Sequence, residues 1–125
     1  MRAAALSLLL FACATAQVQS TLFFGLSRPG GPDVSAAEFD GFVETQIAPR
    51  FPDGFTLLEG AGRWREAGGR VRSEPSRLLI VVHAPGDADR LLREIAASYR
   101  DRFGQEAVLQ TDARVDAVLH RDGGP

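Results

Sequence analysis

The chain has 125 residues, 45% apolar and 24% charged, with a formal net charge of −2. This is the composition of one soluble globular domain, and it excludes an intrinsically disordered chain; the slight negative charge argues against non-specific binding to nucleic acid. A single cysteine excludes an internal disulfide and a thiolate metal cluster.

The first twenty residues, "MRAAALSLLLFACATAQVQS", read as an export leader and not as part of the fold. Arg2 supplies a short basic region, and residues 3–12 form an apolar run long enough for a signal sequence but too short to span a bilayer. Two exits compete. "ATA" at 14–16 is an A-x-A site that defines a signal peptide of residues 1–16 and a mature terminus at Gln17. "LFAC" at 10–13 resembles a bacterial lipobox, with a signal of residues 1–12 and lipidation of Cys13, although Phe11 departs from the small or β-branched residue usual there. Either exit puts the protein in the periplasm or outside the cell, with membrane contact only through a lipid on Cys13.

Residues 21–120 then read as one α+β domain, with 121–125 as a frayed tail. "TLFFGLS" (21–27) is a buried strand bounded by Gly and Pro. Ser35 and Glu38 form an S-x-x-E capping box ahead of the apolar stripe Phe39, Phe42, Val43 and Ile47, and Pro49 ends that helix. "FPDG" (51–54) is a type I reversal into a second strand, "FTLLEGAGRWRE" (55–66), which turns at "AGG" (67–69). "RLLIVVH" (77–83) has the continuous apolar run of a central strand. A helix over 87–103 carries Ala88, Leu91, Leu92, Ile95, Tyr99 and Phe103 on one face, with Gly104 as its left-handed stop. An extended segment over 106–120 completes the order β-α-β-β-α-β.

The first and third strands are the most apolar. That ranking fits a ferredoxin-like βαββαβ domain: a four-stranded antiparallel sheet with those two strands central and both helices on one face. The other face is then uncovered and still apolar. Strand alternation and the polar end at His83 assign to it Phe23, Gly25, Leu79, Val81 and His83, a candidate ligand or homodimer surface.

Chemistry-bearing motifs are sparse. "GAGRWR" (60–65) lacks the last glycine and the following helix of a dinucleotide loop, and "GLSRP" (25–29) lacks the second glycine of a nucleophile elbow. "RWREAGGRVR" (63–72) interleaves four arginines with Trp64. All fourteen basic residues are arginine, a coding bias that lowers the weight of such a cluster, and an edge hairpin guarded by charge accounts for it. His83 is the candidate general acid or base if a carboxylate such as Glu74 or Glu106 faces it. Glu74, Gln105 and Glu106 are candidate polar contacts. No cofactor and no metal site is implied.

The pieces "TLFFGLSRP", "VSAAEF", "PRFPDGFTLLEGAGRWR", "RSEPSRLLIVVH" and "SYRDRFGQEAVL" together resemble the bacterial domain of unknown function 3574 family. The resemblance covers about residues 21 to 118 and implies a small exported protein or lipoprotein, with no catalytic residue to carry over. The expected function is a non-catalytic envelope module that binds a ligand or partner through its open sheet face. The alternative is a small cofactor-independent enzyme using His83.

Overall fold

In the computed structural model, residues 16–122 are described. Residues 1–15 of the expected leader, Cys13 among them, and the last three residues of the expected tail lie outside them. Four strands and two helices follow in the order β1 (Gln17–Gly25), α1 (Ala36–Phe42), β2 (Thr56–Arg65), β3 (Val71–His83), α2 (Ala88–Phe103) and β4 (Leu109–Val115). The sheet order is β2-β3-β1-β4 and every pair is antiparallel. This is the ferredoxin-like arrangement, with the two most apolar strands in the centre.

Local chemistry sets the element ends. Ser35 caps α1 through the Glu38 amide at 3.1 Å, and the Glu38 carboxylate returns to the Ser35 amide at 2.9 Å. Beyond Phe42 the helix widens into a π turn over Val43–Ile47 that carries Ile47 into the core. Phe51 accepts from the Gly54 amide at 3.2 Å, closing the predicted reversal, and Gly54 takes φ +131°. Gly104 stops α2 at φ 63°.

The helices cover one face only. Leu22 and Phe24 of β1, with Leu79 and Val81 of β3, meet Phe39, Phe42 and Ile47 below and Leu92, Ile95, Tyr99 and Phe103 of α2. Phe24, Phe39, Phe42, Tyr99 and Phe103 interlock as an aromatic cluster, with Phe24 and Tyr99 centroids 4.6 Å apart. Such tilted and edge-on pairs add to the burial of their area.

Three boundaries differ from the sequence reading. Residues 17–20 belong to β1, where Gln17 pairs with Val115 and Ser20 with both Val81 and Asp112. β3 begins at Val71, six residues early, and runs through Pro75. Proline is tolerated there because β1 ends opposite Ser76, so the missing N–H faces no strand; the Pro75 carbonyl still accepts from Leu26. β4 stops at Val115, opposite Gln17 at the start of β1, and Val118 and Leu119 are left exposed.

The face assignment also needs correction. Leu22 pairs with Leu79 and Phe23 with Leu78. Phe23 and Gly25 therefore do point to the open face, whereas Leu79 and Val81 are buried under the helices and His83 lies on that same side. The open face instead carries Phe23, Leu58, Leu78, Ile80, Val82 and Leu109.

Candidate functional site

Alternation along β1 brings Ser20 to the helix-facing side, but near the end of the sheet where α2 begins and apolar cover runs out. Its register neighbours there are Val81 and Asp112, with His83 one step further along β3. Ser20, 1% exposed, sits between two titratable side chains. Its hydroxyl donates to Asp112 Oδ1 at 2.6 Å, and its Oγ lies 2.8 Å from His83 Nε2. His83 Nδ1 lies 2.8 Å from the Ala84 carbonyl.

The three contacts tie Asp112, Ser20 and His83 into one chain that ends on the Ala84 carbonyl, with the roles of the two ring nitrogens set by the imidazole tautomer. The Ser20 hydroxyl, with help from Gln110 and the charge of His83, holds Asp112 below the usual carboxylate range. A concavity of about 380 Å³ opens beside the cluster, walled also by Pro85, Gly86, Asp89 and Arg114.

His83 thus finds a carboxylate, but neither of the two the sequence suggested. Glu74 lies nine residues away on the same strand, roughly 30 Å at the rise of an extended chain. It packs at the opposite end of β1, where a Cβ on Gly25 would come within 2.8 Å of its Oε1. Gln105 is also at that end, donating to the Ser27 carbonyl at 2.7 Å, and Glu106 is exposed. Around them, Tyr99 donates to the Gly25 carbonyl at 2.6 Å, and Arg28 bridges to Glu38 at 2.7 Å while lying over the Phe103 ring. Burial raises the Tyr99 phenol, the Glu74 charge adds to the shift and Arg28 opposes it. This corner clasps the loop after β1 to α1 and α2; it is a structural knot. Among the described residues no group of three His, Cys, Asp or Glu side chains is placed to hold a metal.

Sequence reasoning missed Ser20 and Asp112. Ser20 reads as part of the leader in the sequence, and Asp112 takes meaning only from the β1–β4 register.

The open sheet face is the second candidate. Across its four strands it presents Gln, Thr, Ser, Gly, Ala and apolar side chains, with Glu74 at one corner as its only charge before the β2–β3 hairpin leaves the sheet. Leu58, Val82 and Leu109 are each nearly half exposed on it. Gly60 and Gly62 let neighbours lie flat: Ser76 Oγ and Leu78 Cδ1 crowd over Gly60, and the Trp64 ring folds over Gly62.

The family described as "Protein of unknown function (DUF3574)" matches residues 19–118. No curated protein matches the chain. Among solved structures it is similar to a phage SAM lyase in complex with S-methyl-5′-thioadenosine, at 19% identity and TM-score 0.63, over 83% of this chain and 85% of that one. A phage SAM lyase in the apo state gives 17% identity and TM-score 0.61, over 86% and 94% of the two chains. CutA1 from Pyrococcus horikoshii gives 14% identity and TM-score 0.51, over 82% and 86%. At these identities the likeness is one of fold.

Proposed function

The chain belongs to the DUF3574 family, and from that premise we propose that it is a non-catalytic binding module whose open sheet face docks a second copy of itself. The observation that carries this reading is the near absence of charge on that face together with the half-exposed Leu58, Val82 and Leu109. Interface centres are depleted in charge, and a two-fold pairing places the same patch on both partners. An uncharged, apolar patch is complementary to itself in this sense. The setting we propose is outside the cytoplasm, on the strength of Arg2, the apolar run over 3–12 and the two exits that follow it.

The alternative of a small enzyme with His83 as acid or base draws on the Ser20–His83–Asp112 cluster. That geometry favours a structural role. Ser20 is 1% exposed and its proton goes to Asp112 and not to His83, so the cluster holds no serine activated by the imidazole. The fold shared with a SAM lyase transfers no activity at this identity.

The pairing is tested by isotope-filtered NMR on a mixture of labelled and unlabelled protein. Nuclear Overhauser effects between copies at the Val82 and Leu109 methyls support it. Contacts confined to other surfaces, or none at millimolar concentration, reject it.

A further inference from the structure

The β2–β3 hairpin outruns the sheet. β1 ends at Gly25 opposite Ser76, so the pairs from Ala61–Pro75 to Arg65–Val71 have no third strand. Five pairs make a two-stranded ribbon of about 17 Å, closed by a turn in which Gly69 takes φ +84°.

Its charge is opposite to that of the body. Residues 63–72 hold four of the fourteen arginines and one of the sixteen acidic residues, a formal +3 that leaves −5 on the rest of the chain. Arg63 and Arg65 lie on one face of the ribbon with Val71; Trp64 and Arg72, directly paired, lie on the other; Arg70 is in the turn. Arg72 meets Glu66 only at 3.5 Å, and Arg65 donates to the Gly69 carbonyl. Among the described residues no carboxylate pairs with Arg63, Arg65 or Arg70. Trp64 is 42% and Val71 50% exposed.

Cations on both faces and at the tip cannot all meet one flat surface, which would touch a single face of the ribbon. A headgroup layer can, because it surrounds a tip that enters it. Tryptophan is at home at that depth, and each arginine near an anionic surface adds attraction. The acidic body is repelled by the same surface, which sets an end-on approach. We propose that residues 63–72 form an end-on docking element for an anionic phospholipid surface. This is independent of the pairing of sheet faces.

The test uses the mature chain from Gln17, which keeps all of β1, so that neither the apolar run over 3–12 nor a lipid on Cys13 contributes, in sedimentation with vesicles. Mixed phosphatidylglycerol–phosphatidylcholine vesicles are expected to bind it and pure phosphatidylcholine vesicles are not. Arg65→Ala and Arg70→Ala should each weaken binding about fivefold. Trp64→Ala should weaken it as well, and salt should release the protein as the Debye length shrinks. Val82→Glu, aimed at the sheet face, should bind vesicles as the parent does. The proposal is overturned by equal binding to neutral vesicles, by arginine variants that bind as the parent does, or by loss of binding in Val82→Glu. Capture by polyglutamate with none by vesicles would also overturn it, assigning the hairpin to an acidic protein.

Discussion

Ser20 and Asp112 are joined across the β1–β4 pair by a 2.6 Å hydrogen bond that the serine donates, and the same oxygen lies 2.8 Å from His83 Nε2. Ser20→Ala removes the shared partner of both groups. Asp112 is exposed and water can take the place of the lost hydroxyl, so the cost is about 0.5–1.5 kcal/mol. The Asp112 carboxylate is held low mainly by Ser20, so its contribution to stability is full above the ordinary carboxylate range and is lost as pH falls through the lowered value. In Ser20→Ala the carboxyl should protonate at higher pH, and the stability lost on acidification should be smaller. Carboxyl carbon shifts of Asp112, followed with melting temperature from neutral to acid pH, check both statements.

Glu38 offers a second pH test at the other end of the fold. The Ser35 backbone amide first, then Arg28, lower its carboxyl to about 2. The folded value is below the unfolded one, so the stabilisation is present above pH 4.5 and drains as pH falls toward 2. Glu38→Gln should flatten the acid limb of the melting curve in that window while barely changing its shape at neutral pH. Ser35→Ala should cost about 1 kcal/mol at neutral pH through loss of the cap.

Gly54 and Arg63 separate backbone necessity from surface charge. Gly54 holds φ +131° with open space around it, so an alanine there meets no neighbour and is opposed by the backbone alone. Gly54→Ala should destabilise by about 1–3 kcal/mol, and Arg63→Ala should leave the melting temperature unchanged. A denaturant melt of each variant decides the point; equal midpoints would remove the turn from the account.

Much of this fold is legible in the sequence because local rules and burial agree. The Ser35–Glu38 box, the Leu92–Ile95–Tyr99–Phe103 stripe and the stop at Gly104 are each set by neighbours within a few residues. The ranking of strand hydrophobicity gave the sheet order. What failed was register. β1 and β3 are apolar on both faces, so alternation within each strand does not say whether Phe23 lies beside Leu78 or Leu79. The polar cluster was illegible for a related reason. Ser20, His83 and Asp112 come from three strands and become neighbours only after pairing, and the leader-like composition before Thr21 hid the first of them. Pro75 concealed the first half of β3, because the position where its missing N–H does no harm depends on where β1 ends.

The pairing of open sheet faces is the central claim, and sedimentation velocity over a rising concentration series measures it most directly. The parent chain should move from monomer to dimer as concentration rises. Val82→Glu places a charge at a position 48% exposed in the single chain, so it should leave the melt of the monomer intact. That variant should remain monomeric throughout the series. A parent chain that stays monomeric at the highest concentration, or a Val82→Glu dimer as tight as the parent's, would contradict the account.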